Sequence, residues 1–200
     1  LLDTLTDMAD AVNHILSVHG WPLRTIEEVR AFVGNGARRL MERAVPPEVT
    51  GGDFETVLTE YRDWYQAHNC VATAPYPGIQ ALLAALAKAG IKTAVVSNKP
   101  DATTKTLAAR FFPGLPAFGQ RDDVPPKPAP DLVFRALETL GVDAADAIYV
   151  GDSEVDVATA RNAGLPLAAM SWGFRGRRAL AEAGAAVIVD TAAELLEVLR

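Results

Sequence analysis

The sequence predicts an α/β fold in which a parallel sheet, covered by helices on both faces, carries a separate α-helical part. Three observations predict it. From Thr4 to about Asn69 the apolar residues recur at helical spacing throughout. Beyond the rigid punctuation Ala74-Pro75-Tyr76-Pro77-Gly78 the rhythm changes to alternating helix and strand, which implies crossover connections and a parallel sheet. Finally, the apolar run Ala147-Ile148-Tyr149-Val150 leads straight into Gly151-Asp152-Ser153, with Asp156 one helical turn later.

In the first part, Met8, Ala11, Val12, Ile15 and Val18 mark one helix, stopped by Gly20 and Pro22. Thr25-Ile26-Glu27-Glu28 is a capping-box pattern and starts a second, which ends before Gly34-Asn35-Gly36. Ala37 to Ala44 forms a third, closed by Pro46-Pro47. Asp53 is expected to cap a fourth, whose Phe54, Val57, Leu58, Tyr61 and Tyr65 make one apolar stripe. Such a stripe reads as the core of a small bundle before it reads as a ligand platform.

In the second part, Ile79 to Ala89 reads as a helix with Gly90 at its carboxyl end, and Ile91 to Val96 as a buried strand. Two more helices are read over Asp101 to Phe112 and Pro130 to Leu140, the latter ending at Gly141. After the strand Ala147 to Val150 comes a helix from Glu154 to Ala163, stopped by Gly164. Pro166 to Met170 and Ala185 to Val189 are further strands. The last helices span about Arg177 to Ala183 and Ala192 to Leu199.

Composition narrows the function. Nineteen Lys plus Arg against 25 Asp plus Glu give a net charge of −6, without a basic stripe for nucleic acid. The cluster Arg175-Gly176-Arg177-Arg178 reads as a solvated helix start. The single cysteine, Cys70, has no His partner in sequence; it excludes an internal disulfide and fits a reducing compartment. His14, His19 and His68 form no zinc-binding spacing and are expected to be structural. No run is long and apolar enough to cross a bilayer. The expectation is a cytoplasmic protein, a monomer or homodimer, with no nucleic-acid or membrane partner.

The chemistry gathers where strands end, the edge at which open parallel sheets bind ligands. Asp152 and Asp156 lie four residues apart, near one face of a helical turn. Paired carboxylates repel unless a proton or cation separates them, so a hard ion such as Mg²⁺ suits them. The bland alternative is that Asp152 caps the next helix. Ser97-Asn98-Lys99-Pro100 comes after another strand and offers a hydroxyl, an amide and backbone N–H groups to a phosphoryl oxygen. Val124-Pro125-Pro126-Lys127-Pro128-Ala129-Pro130 mounts one lysine between prolines that fix the backbone. Hydroxyl, lysine and a cation around one anion is what phosphoryl transfer needs.

These residues carry a resemblance. Ser97-Asn98-Lys99-Pro100, Lys127-Pro128-Ala129-Pro130 and Val150-Gly151-Asp152-Ser153-Glu154-Val155-Asp156 resemble the motifs of haloacid-dehalogenase-superfamily phosphatases, most closely the phosphoglycolate phosphatase branch. Pro75-Tyr76-Pro77-Gly78, Ala160 to Pro166, Trp172-Gly173-Phe174 and Phe32-Val33-Gly34-Asn35-Gly36 extend the match over essentially the whole chain. The resemblance implies a Rossmann-like core of residues 1–3 and 75–200, with a helical cap over residues 4–74. It implies Ser97 and Asn98 at the phosphoryl group and Lys127 steadying nucleophile and phosphate. Mg²⁺ would sit on Asp152, with Asp156 supporting the metal site. Exchange of Lys127 for Ala should then abolish turnover and leave the fold intact. Gly34, Asn35, Gly36 and Arg38 (or Arg39) would meet a small phosphorylated metabolite, 2-phosphoglycolate being the implied substrate. A plain turn between helices with solvated arginines is the competing reading.

The family's nucleophile is the first aspartate of a D-x-D-G-T motif, which does not occur in these 200 residues. Leu1-Leu2-Asp3-Thr4 resembles the residues just beyond that motif. The expectation is therefore that the nucleophile and the first core strand lie upstream of Leu1, that the chain as given is inactive, and that Asp3 anchors the cap linker. Competing readings are a phosphosugar mutase of the same superfamily and a phosphate- or metal-binding domain without a nucleophile. A dehalogenase would not need the paired acids.

Overall fold

A computed structural model describes residues 1–199. The chain divides into two compact units, one of Leu2–Ala74 and one of Leu1 with Pro75–Arg200.

The first unit is helical. Strand β1 (Leu2–Asp3) leads into α1 (Leu5–Val18), α2 (Ile26–Phe32), α3 (Gly36–Ala44) and α4 (Gly51–His68). Asp3 accepts from the Leu5 N–H at 3.2 Å, which anchors the start of α1. Helix α1 packs on α2 and α4, and α3 on both of these. Met8, Val12, Ile15 and Leu16 are buried, as is the whole stripe Phe54, Val57, Leu58, Tyr61 and Tyr65. Val18 is 65% exposed, because it is the last residue of α1 and its helix ends before the stripe is covered there. Thr25 forms the predicted capping box with Glu28. Asp53 does not cap α4: the helix begins at Gly51, with Thr50 at the N-cap position, and Asp53 sits in the first turn. A carboxylate there still complements the helix dipole.

Buried Asp7 accepts three backbone hydrogen bonds, from Val71, Ala72 and Thr73, at 2.7–3.1 Å. These tie the end of the unit to α1, just before β2 (Ala74–Pro75). The three histidines engage neighbouring side chains. His14 and His68 stack on Trp64, and His19 stacks on Trp21 and lies 2.6 Å from Glu60.

The second unit alternates helix and strand. Helix α5 (Ile79–Lys88) precedes β3 (Val95–Pro100), α6 (Asp101–Phe111) and β4 (Ala117–Gln120). Next come helix α7 (Asp131–Leu140), a short 3-10 turn at Ala144–Asp146, β5 (Tyr149–Gly151) and α8 (Glu154–Ala163). The unit closes with β6 (Leu167–Met170), α9 (Gly176–Glu182), β7 (Ile188–Val189) and α10 (Ala192–Val198). Pairing is parallel throughout: β3 with β4, and β5 with β6 and then β7. Among the described residues these are two sheets. Helices α6 and α7 pack on β3 and β4, and α8, α9 and α10 on the other sheet. Val133, Tyr149, Ala160, Ala163 and Leu165 form one core cluster, with Val96 and Leu167 packed against it.

Three strands start two or more residues later than the sequence suggests: β3, β5 and β7, the last because Ala185 still donates to Leu180 O at the end of α9. Ile91 is held by its N–H to Leu86 O and completes the end of α5, so β3 starts only at Val95, which donates to Pro116 O. Residues 91–96 are at most half-buried, because β3 has a single described neighbour. Likewise Ala147 still bonds back to Ala144 O, and Ile148 is exposed, so β5 starts at Tyr149. Strand β4 is not foreseen at all. Its Gly119 sits so close to α6 that an added Cβ would lie 2.4 Å from Asp101 Cα, and its N–H bonds Asp101 Oδ1 at 3.0 Å.

Candidate active site

The carboxyl ends of β3 and β5 and the Lys127 loop are joined by one continuous set of contacts. Asn98 spends its whole carboxamide on the backbone of Lys127: Nδ2 donates to Lys127 O at 2.9 Å and Oδ1 accepts from Lys127 N at 2.8 Å. Lys127 Nζ then donates to Asp156 Oδ1 at 2.8 Å and to the Tyr149 hydroxyl at 3.1 Å. The Tyr149 hydroxyl in turn donates to Asp156 Oδ1 at 3.0 Å. The three polar groups form a closed, buried triangle.

The turn from β5 into α8 explains why the two acids differ. Ser153 is the N-cap and makes a capping box with Asp156, so the cap falls on Ser153 and not on Asp152. Asp156 Oδ2 collects the N–H groups of Asp152 and Ser153 and the Ser153 hydroxyl, the last at 2.6 Å. Gly151 makes this possible: an added Cβ would lie 2.2 Å from Asp156 Cβ. Both oxygens of Asp156 are thus taken by protein donors. Asp152 is the freer acid; its Oδ2 accepts the Phe174 N–H at 2.9 Å.

The electrostatics mirror the hydrogen bonds. Burial alone would push the Asp156 carboxyl up, but the Lys127 charge and the donors on its oxygens hold it below the usual carboxylate range. Burial would likewise pull Lys127 down, and Asp156 with Tyr149 keep it charged and well above its ordinary value. Burial pushes the Tyr149 hydroxyl up, so it stays protonated near neutrality. Asp152 moves the other way from Asp156: burial and the neighbouring Asp156 charge raise its carboxyl.

A half-buried carboxylate that resists ionisation and, among the described residues, has one oxygen without a hydrogen-bond donor suits a hard cation. Among the described residues no group of three or more His, Cys, Asp or Glu side chains forms a cage. Mg²⁺ does not require one, since it is commonly held by one or two carboxylates, waters and substrate phosphate. The donor chemistry therefore fits Mg²⁺ on Asp152, with Asp156 acting through Lys127 and the turn.

Ser97, half-buried on β3, accepts the Lys99 N–H on its hydroxyl at 3.1 Å, which orients the O–H. Gly34, Asn35, Gly36 and Arg38 lie in the helical unit, where Gly34 and Gly36 have positive φ. Arg38 pairs with both carboxylate oxygens of Glu55 (2.9 and 2.7 Å) and lies over the Phe54 ring. The arginines near residue 175 are not simply solvated. Arg175 is largely covered and bonds Glu154, and Arg177 bonds Asp190. Tyr149 is a site residue that sequence reasoning missed, as is Phe174, whose N–H meets Asp152. Tyr149 sits inside an apolar strand run, where a tyrosine reads as core.

Residues 1–170 match the haloacid dehalogenase-like hydrolase family. The chain belongs to that family. Similar proteins include a phosphoglycolate phosphatase of Pseudomonas savastanoi pv. phaseolicola, 34% identical over 98% of this chain and 75% of that protein. An N-acetylmuramic acid 6-phosphate phosphatase of Pseudomonas aeruginosa is 33% identical over all of this chain and 90% of that one. Among solved structures, a candidate phosphoglycolate phosphatase from Lactobacillus delbrueckii subsp. bulgaricus superposes with a TM-score of 0.93 at 34% identity, covering 99% of this chain and 93% of that one. The protein is a haloacid dehalogenase-type phosphoric monoester hydrolase.

In this hydrolase the Asn98 amide is used on the Lys127 backbone and not turned outward, which suits a residue that positions the lysine. Asn98→Asp keeps the shape but sets a carboxylate oxygen against the Lys127 carbonyl. Losing one hydrogen bond and gaining an unfavourable pair should cost about 2–3 kcal/mol of stability. Activity should fall with KM little changed, since the lysine and not the substrate contact is displaced. Urea unfolding and steady-state kinetics test this; an Asn98→Asp enzyme with wild-type kcat would remove Asn98 from the site.

Proposed function

We propose that this hydrolase is a Mg²⁺-dependent phosphatase of small phosphate monoesters, with 2-phosphoglycolate as the first substrate to assay. The observation that carries the reading is the Lys127–Asp156–Tyr149 triangle set beside Asp152. It holds a permanent positive charge next to an anionic position for a cation, as stabilising a transferring phosphoryl group requires. Bound Mg²⁺ would supply charge neutralisation at the phosphoryl oxygens. Lys127 Nζ would neutralise a further oxygen, and the Ser97 hydroxyl would donate to another. Tyr149, as a neutral donor to Asp156, keeps Lys127 aimed. In the aspartyl-phosphate route the attacking carboxylate would be the first aspartate of a D-x-D-G-T motif, which residues 1–200 do not contain, and the second aspartate of that motif would protonate the leaving alcohol. Arg38 with the Gly34–Gly36 turn is assigned to the organic part of the substrate. The reading places the enzyme in the cytoplasm, as a monomer or homodimer.

Similarity to the N-acetylmuramic acid 6-phosphate phosphatase supports a second substrate class, the phosphosugars. The test is kcat/KM for 2-phosphoglycolate, N-acetylmuramic acid 6-phosphate and simple hexose phosphates, with and without EDTA, on the native protein. Mg²⁺-dependent release of phosphate with 2-phosphoglycolate preferred supports the first reading, and preference for the sugar phosphate the second. Isomerised sugar phosphate without release would mean a mutase, and cation-independent turnover would sink the metal assignment.

A further inference from the structure

The loop after β6, Ser171 to Arg175, makes contacts that neither the turn nor the helix after it requires. Phe174 gives its backbone N–H to Asp152 Oδ2 at 2.9 Å. One residue earlier, Gly173 lies directly against the same carboxylate: an added Cβ would stand 1.9 Å from Asp152 Oδ2 and 2.3 Å from Asp152 Cβ. Gly173 does not have a positive φ, so the backbone conformation does not demand glycine there. Only the approach of Asp152 does. One residue later, Arg175 bonds Glu154 through Nε at 3.0 and 3.3 Å, and its side chain is 14% exposed. Glu154 opens α8, two residues after Asp152. The loop therefore grips Asp152 and Glu154 with consecutive residues.

The other end of the loop is fixed as well. Ser171 N bonds Val189 O at 3.0 Å, and Ser171 Oγ donates to Asp190, which Arg177 holds at 2.7 Å. A segment tied at both ends cannot track a carboxylate that swings away. We propose that Ser171–Arg175 is a clasp that fixes the Asp152 carboxylate in the orientation a divalent cation needs. Gly173 provides the space, the Phe174 N–H the anchor and the Arg175–Glu154 pair the fastening. Gly173, Phe174, Arg175 and Glu154 are positioning residues. The inference rests on the reading of Asp152 as the cation ligand.

Mn²⁺ is the probe, bound to the native protein and monitored by electron paramagnetic resonance without substrate. Gly173→Ala should weaken Mn²⁺ at least tenfold. Arg175→Ala and Glu154→Ala should each weaken it a few-fold, and the double variant no more than either one, because both remove the same fastening. Exchanging the charges in one variant, Glu154→Arg with Arg175→Glu, should restore part of the affinity, which a merely structural loss would not. Failure of the wild type to bind Mn²⁺ would remove the cation reading of Asp152 and the clasp with it. Wild-type binding that Gly173→Ala leaves unchanged would overturn the clasp alone. Should Gly173→Ala not fold, Arg175→Ala decides: unchanged affinity there overturns the proposal.

Discussion

Lys127→Met is expected to lower kcat/KM by roughly 10²–10³-fold, the usual loss when a preorganised group facing developing charge is removed. The lysine is not a loosely held surface cation. Its Nζ lies 2.8 Å from Asp156 with side-chain exposures of 12% and 7%, so the pair is buried. Methionine keeps the apolar stem and removes only the ammonium. Asp156 is then left without its counter-charge, although the N–H groups of Asp152 and Ser153 and the Ser153 hydroxyl still bond it. Breaking a buried pair from one side costs about 3–5 kcal/mol, of which those three donors should recover part. The fold should therefore survive but unfold at lower urea, a stability loss that the sequence alone does not announce. Tyr149→Phe is the matched control: it removes one hydroxyl from the triangle, worth about 1 kcal/mol, and leaves the charge pair in place. Full turnover in Lys127→Met would end its assignment to the phosphoryl group.

The two variants also show which parts of the site were legible. Gly151-Asp152-Ser153-Glu154-Val155-Asp156 announces itself because its residues have local jobs with sequence signatures: tight approach, a carboxylate at the strand end, N-cap, helix start and N3 partner. Helix α8 accordingly runs from Glu154 to Ala163, as read from the sequence. Lys127 was legible from its flanking prolines, and Asn98 from its place after a strand. What Asn98 does was not, because its partner is a backbone 29 residues away. Phe174 failed for the same reason, since its N–H meets Asp152, 22 residues away, only when β6 is laid beside β5. Tyr149 was missed although Asp156 is only seven residues on, because a tyrosine in an apolar strand run reads as core. Strand β4 was lost because Ala117-Phe118-Gly119-Gln120 has neither β-branched residues nor alternation. Its glycine answers to a helix it touches in space. The shifted starts of β3, β5 and β7 come from the preceding helical turns, whose last hydrogen bonds claim residues that look like strand.

Asp152→Asn should abolish metal-dependent turnover and yet make the cation-free protein more stable at pH 7. Burial and the Asp156 charge raise the folded pKa of Asp152 above its unfolded value, so folding disfavours its ionised form. The stability it contributes is complete below the unfolded carboxylate range and is lost as pH rises through the raised folded value. Asp156 has the opposite sign. Its folded pKa is depressed, so its contribution is present above the unfolded value and lost as pH falls through the folded one. At pH 7 Asp152 is thus a cost and Asp156 a gain. Asparagine at 152 keeps an oxygen for the Phe174 N–H and carries no charge, so it removes the cost. In EDTA at pH 7 the variant's Tm should exceed that of the wild type, by roughly 2–4 °C for each kcal/mol relieved. Near pH 3 the difference should vanish, because the wild-type carboxyl is then itself neutral. Mg²⁺ should raise the Tm of the wild type and leave that of the variant unmoved. Asp156→Asn should lower the Tm at pH 7, since it strips Lys127 of its partner. Differential scanning calorimetry across pH with and without Mg²⁺ measures all four. An Asp152→Asn protein less stable than the wild type in EDTA at pH 7 would mean that this carboxylate is held for the fold and not for a cation.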